Sequence, residues 1–329
     1  MYEHFYGLQE RPFDLVPDPR FLYLSGRQRE ALSNLRYGLT TPRGVTLLLG
    51  EAGTGKTTLL RTVLSGLSGA PARHVFLSNP TLTRSEFFEF LALGFELGDA
   101  NGVSKTRFLF ALRKLLDQEA AAGRTPALVV DEAQSLPYEL LEEVRLLSNL
   151  ETTTAKLLNV VLAGQPELAD RLNEPSLRQL KQRVSLRCEL ASMNVQETAA
   201  YIAGRIRIAG GHPEQVFTRD AIAQIFEASG GLPRTVNVVC DNALIGGFAA
   251  EVRPVTRALV EDVCRDFDFL PGEDKPATMA SHPQQPIVPA KTESREAVLE
   301  AVATNPVSGQ GVVQSMFGAF SRKRRFSFF

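Results

Sequence analysis

The sequence predicts an α/β fold: a parallel sheet flanked by helices, with a small all-helical domain appended. Three observations predict it. Short apolar runs rich in Val and Leu alternate with stretches of helical periodicity, the pattern of strands buried on both faces between crossover helices. The first run ends in a glycine-rich turn that opens a helix. After residue 191 the strand-like runs stop, while apolar residues continue at helical spacing.

Residues 1–44 form an arm and a helix, expected to pack on the core. The arm is loop-rich, with Pro12, Pro17 and Pro19 among Phe5, Tyr6, Phe13, Phe21 and Tyr23. Ala31, Leu32, Leu35 and Leu39 then share one face of a helix over 28–39. Residues 45–191 form the core. Its strands are VTLLLG (45–50), HVFLS (74–78), ALVVDE (127–132) and NVVLAG (159–164), with VSLRCEL (184–190) completing the sheet. Helices over 57–67, 85–97, 105–122 and 140–150 separate them. Residues 192–269 form the helical domain, with helices over 195–209, 219–229, 233–248 and 256–267. Residues 270–329 are Pro-rich and poor in large apolar residues, a largely disordered tail with one short helix over 292–303.

Composition narrows the function classes. The 329 residues carry 36 Lys plus Arg against 37 Asp plus Glu, a net charge of −1 that argues against coating nucleic acid by bulk electrostatics. No apolar run approaches the ~18 residues of a membrane span. The opening MYEHFYGLQERPFDLVPDPR has no signal-peptide apolar stretch. Cys188, Cys240 and Cys264 are far apart, with no CxxC, a usage that suits a reducing compartment. The expectation is a cytoplasmic protein rather than a secreted, integral-membrane or disulfide-stapled one. His4, His74, His212 and His282 have no metal-ligand spacing, so no metal held by histidine or cysteine is expected.

The chemistry is concentrated in two places. GEAGTGKTT (50–58) matches G-x-x-x-x-G-K-[ST] between a strand and a helix. Gly50, Gly53 and Gly55 let the loop through Glu51, Ala52 and Thr54 turn its backbone N–H groups inward, and the helix start adds its partial positive charge. Lys56 supplies a full charge to the β- and γ-phosphates of a nucleotide, Thr57 a hydroxyl to Mg²⁺, and Thr58 closes the set of expected nucleotide-binding residues. At the end of ALVVDE, Asp131 is expected to hold the Mg²⁺ shell and Glu132 to orient or deprotonate a water. An adjacent Asp-Glu pair favours hydrolysis over binding alone.

Strand–GxxxxGKT, strand–DE, a polar residue ending the fourth strand and an appended helical domain together resemble a P-loop NTPase of the AAA+ class. FYGLQERPFDLVPDPRFLYLSGRQREALSNLRYGL, GQPEL (164–168) and LRQLKQRV (177–184) resemble the ExeA/GspA-type ATPases over residues 1–268. That resemblance implies ATP and Mg²⁺ as ligands, with Gln165 as the residue sensing the γ-phosphate and Arg234, in GGLPRTVNVV, as a lid residue reaching it. It also implies that Arg183 reaches a neighbouring subunit's nucleotide, with Arg178 and Arg187 as rivals. An arginine acting across an interface implies a head-to-tail homo-oligomer, ring or filament. Secretion, pilus and polysaccharide-export machines are the implied clients, at the inner face of the inner membrane. DNA is the alternative partner, as for the transposition ATPases. Longer members carry a membrane span and a wall-binding domain; this chain is expected to be of the shorter type.

In the family the arm lies near the base, so Pro12 and Phe13 either contact adenine or only fill a core. The terminal MFGAFSRKRRFSFF places four basic residues among five phenylalanines. It fits an anionic membrane surface, a nucleic-acid backbone, a partner groove or plain solvation.

Overall fold

A computed structural model of the protein describes residues 1–16, 18–66, 73–78, 80–98 and 104–269. The Pro-rich tail, its helix over 292–303 and the basic, aromatic terminus lie outside the described residues. A short helix α1 (Glu3–Tyr6) precedes α2 (Gly26–Thr40), which starts at a capping box formed by Ser25 and Gln28. The core then runs β1 (Val45–Gly50), α3 (Lys56–Gly66), β2 (His74–Leu77), α4 (Arg84–Gly94), α5 (Lys105–Ala121), β3 (Ala127–Val130), α6 (Tyr138–Leu147), β4 (Asn159–Gly164), α7 (Pro166–Asn173), α8 (Arg178–Lys181) and β5 (Val184–Leu190). The helical domain comprises α9 (Val195–Ile208), α10 (Pro213–Val216), α11 (Arg219–Ser229), α12 (Pro233–Ala249) and α13 (Arg257–Asp266).

The five strands are parallel, in the order β2-β3-β4-β1-β5. Alternation within each strand sends side chains to two separate cores. Val45, Leu47, Leu49, Leu128, Val130, Val160 and Leu162 face α4–α8, while Leu48, Val129, Val161 and Ala163 face α2 and α3. Leu49 pairs with Gly164 and Val130 with Leu162. The glycine loop after β1, Asp131 after β3 and Gln165 after β4 therefore leave the sheet at the same end.

The arm departs from the expectation. It packs on the helical domain, not on the sheet: Tyr2, Tyr6, Leu8, Phe13 and Phe21 share a core with α9–α13. Phe13 is fully buried against Phe217, and Tyr6 donates its hydroxyl proton to the Val252 carbonyl. The physical reason is that α9–α13 leave an apolar groove which the arm's rings fill, while the sheet's faces are already covered by helices. Where the chain crosses back, Gly231 has φ +72° and its missing Cβ would lie 1.9 Å from the Met193 carbonyl oxygen, so only glycine passes there.

Candidate functional site

A cavity of about 360 Å³ opens at the C-terminal end of the sheet. That volume falls within the ordinary range of small-ligand sites. Its two ends have different walls. One end is the glycine loop and the start of α3, from Gly53 to Thr58, with Glu132 beside it. The other is the arm from Asp14 to Tyr23 facing Tyr201, Arg205 and Asn237 of the helical domain. Arg234 lines the cavity where loop and helical domain meet.

The loop takes its shape from its sequence. Gly53 and Gly55 have φ +83° and +95°, and Thr54 folds its hydroxyl back onto the Glu51 carbonyl at 2.8 Å. Gly50 closes against Leu190, and Ala52 forms part of the turn at the loop's tip. Lys56 is 4% exposed; its ammonium donates to the carbonyls of Gly50 (2.8 Å) and Glu51 (3.0 Å). Burial pulls its pKa below the usual lysine range, and Glu132 and Asp131 pull it back up. An ammonium held only by two carbonyls has exchangeable partners, which suits a group that transfers to a phosphate. Thr57 donates its hydroxyl proton to Asp131 Oδ2 at 2.5 Å. This brings together the two oxygens expected to hold Mg²⁺, and an all-oxygen pair fits that hard cation.

Asp131 Oδ1 also accepts the Glu132 backbone N–H at 3.0 Å. Glu132 has φ +52° and ψ 36°, a left-handed conformation uncommon outside glycine. Its carboxylate accepts from Gln134 Nε2 at 2.6 Å, and Gln134 Oε1 accepts the Gln165 backbone N–H at 3.1 Å. Asp131, Glu132 and Gln165 thus belong to one connected network. Gln134 was missed in reading the sequence. The available signal was an amide two residues after the glutamate, at the end of an apolar strand.

Arg234 reaches the site through its backbone as well. Pro233 starts α12, and the Arg234 N–H donates to the Gly53 carbonyl at 3.2 Å. Its guanidinium is exposed and has no partner among the described residues, although a cation at a helix start opposes the helix dipole. Arg183 lies elsewhere. It precedes Val184, which pairs with Val45 at the start of β1, whereas the glycine loop follows Gly50 at the other end. Six strand residues at about 3.3 Å each separate them by roughly 20 Å, so Arg183 does not touch its own chain's cavity. Arg178, exposed on α8, is also outside the residues lining that cavity, and Arg187 points from the edge strand β5 into solvent beside Glu189. Phe13 and Pro12 are both buried and do not line the cavity; Leu15, Val16 and Phe21 do.

Residues 39–172 match the AAA domain family. General secretion pathway protein A of Aeromonas hydrophila is 42% identical over 249 residues, 76% of this chain. The chain is an AAA protein of the ExeA/GspA type. It spans 45% of that relative's length, so less than half of the longer protein is represented here. Among solved structures, the Aeropyrum pernix ORC2 protein in ADPNP-ADP complexes is similar at TM-score 0.58 and 17% identity, over 78% of this chain and 72% of that one. Cdc6p from Pyrobaculum aerophilum is similar at TM-score 0.57 and 19% identity, over 73% and 68%. At such identities these two show that the AAA protein shares their fold. Among its described residues no helix is long and apolar enough to cross a membrane.

Proposed function

We propose that the chain binds ATP with Mg²⁺ in this cavity and hydrolyses it, the reaction being completed between neighbouring copies. The observation that carries this reading is the Thr57–Asp131 hydrogen bond beside the buried Lys56, with Glu132 in the same wall. Thr57 and Asp131 would hold the ion, which supplies charge neutralisation at the phosphate oxygens. Lys56 exchanges its two carbonyl partners for phosphate, and the loop N–H groups from Gly53 to Thr58 orient the chain of phosphates. Glu132 takes the proton of the attacking water, Gln165 senses the γ-phosphate at the end of β4, and Arg234 carries its presence to the helical domain.

Arg183 is assigned to a neighbour's nucleotide, supported by its distance from its own cavity and by a buried Nε without a partner among the described residues. Such a residue makes assembly head-to-tail, because donor and acceptor surfaces lie on different parts of one chain. The name of the Aeromonas hydrophila relative supports a cell-envelope secretion machine as the client.

Calorimetry tests the first step: the full chain is expected to take up ATP in the presence of Mg²⁺ and to release phosphate on standing. Millimolar nucleotide without measurable heat or turnover would end this reading. For the assembly, Arg183→Ala chains mixed with Lys56→Ala chains are expected to regain turnover, since each supplies what the other lacks. Mixtures no more active than their components would remove Arg183 from the reaction.

A further inference from the structure

We propose that Gln134 is a positioning residue for hydrolysis: its side-chain amide clamps the Glu132 carboxylate to the backbone at the end of β4, so that the base and Gln165 keep a set spacing. The inference rests on the reading of Glu132 as the base. Gln134 makes two bonds of opposite sense, donating to Glu132 Oε2 at 2.6 Å and accepting from the Gln165 N–H at 3.1 Å. The pair fixes the amide's orientation, because turning it over would set oxygen against carboxylate and NH₂ against N–H.

Three further observations converge on this bridge. The left-handed backbone of Glu132 aims its side chain differently from a helical or extended residue; its N–H donates to Asp131 Oδ1, its carbonyl accepts from the Ser135 N–H at 2.9 Å, and its carboxylate accepts from Gln134. The main chain of Gln134 is itself tied down, with the Arg171 guanidinium of α7 donating to the carbonyls of Gln134 and Leu136. Gln165 is the N-cap residue of that same helix, so α7 meets the bridge at its start through Gln165 and in its last turn through Arg171. Room for the amide is also built in: a Cβ on Gly164 would lie 2.8 Å from Gln134 Oε1.

The chemical consequence is a division of labour between the two carboxylate oxygens. Oε2 is engaged by the amide, whereas Oε1 has no hydrogen-bond partner among the described residues. Water oxygen bonds to the γ-phosphorus, its proton passes to Oε1, and the bond from that phosphorus to the β-phosphate oxygen breaks to release ADP and phosphate. Gln134 does not line the cavity; it holds the acceptor in place.

The test uses the full chain with Gln134→Met, which keeps the side-chain length and removes both polar ends. Steady-state ATP turnover is expected to fall about 10- to 100-fold, part of the ~10²–10⁴ a general base supplies, with KM and nucleotide affinity unchanged and the thermal midpoint lowered slightly by the Gln165 N–H left without its acceptor. In a Glu132→Gln background the same substitution is expected to cost nothing further, because Gln134 acts through Glu132. Gln134→Glu keeps an acceptor for Gln165 but sets a second carboxylate oxygen against Glu132 in place of the donor, so it is expected to show at least the same fall even where Gln134→Met folds poorly. Wild-type turnover in both variants, or a further loss in the Glu132→Gln background, would overturn the role. A wild-type chain that binds ATP without turning it over would overturn the hydrolysis reading and this role with it.

Discussion

At its loop end the cavity is walled by a run of neighbours in the chain, Gly53 to Thr58, whereas its arm end joins Asp14–Tyr23 to Tyr201, Arg205 and Asn237, residues up to 223 positions apart. The first wall is made of backbone groups, one buried ammonium and hydroxyls, all placed by the loop's own conformation. The second is made of side chains held by packing. Arg205 is 8% exposed, donates to the Pro12 carbonyl and to the Tyr201 hydroxyl (2.9 Å), and stacks over the Phe21 ring at 4.9 Å. Tyr201 in turn donates to Asn237 at 2.8 Å. The loop end therefore forms wherever β1 and α3 form, while the arm end exists only once the arm has docked on α9 and α12. Arg234 links the two ends through its N–H bond to Gly53.

This contrast has measurable consequences. Lys56→Ala is expected to weaken nucleotide binding about 100-fold or more, since it removes the buried full charge from the loop end, without moving the thermal midpoint downward. Titration calorimetry checks the first part and differential scanning the second. A large stability loss would mean that the loop end, too, is a packing device. Arg234→Ala is expected to cost about 1–3 kcal/mol of affinity for ATP and less for ADP, a hydrogen-bonded charge being involved, and to leave stability alone. Equal losses for both nucleotides would separate Arg234 from the γ-phosphate. Arg205→Met is expected to act oppositely, lowering stability by about 2 kcal/mol through the Pro12 carbonyl left without its donor, with a smaller effect on affinity. An unchanged melting curve in that variant would dissolve the distinction between the two ends.

Much of the loop end was legible because its causes are local. Glycines at set spacing, followed by Lys56 and Thr57, specify the turn regardless of what packs around it, and apolar runs marked the inner strands while VSLRCEL, of alternating character, marked an edge. Helix α7 was less legible: GQPEL reads as a motif, yet Pro166 at its first position and Gln165 as its cap make it a helix start. The arm's aromatic residues were visible as core formers, but nothing local names their partner. They were expected on the sheet and lie on the helical domain, where Phe13 meets Phe217 across more than two hundred residues. Arg205 offered one hint, a charged residue four positions from Tyr201 on the inward face of α9.

By itself the sequence determined the parallel sheet, the glycine loop with Lys56 and Thr57, and the Asp131–Glu132 pair that follows β3, because backbone conformation and side-chain period act over a few neighbours. Only the tertiary structure decided which core receives the arm, that Gln134 joins Glu132 to Gln165, and that Arg183 lies too far away to serve its own chain. Those depend on strand register and on which apolar faces remain uncovered, quantities that arise only when distant segments compete for the same contacts.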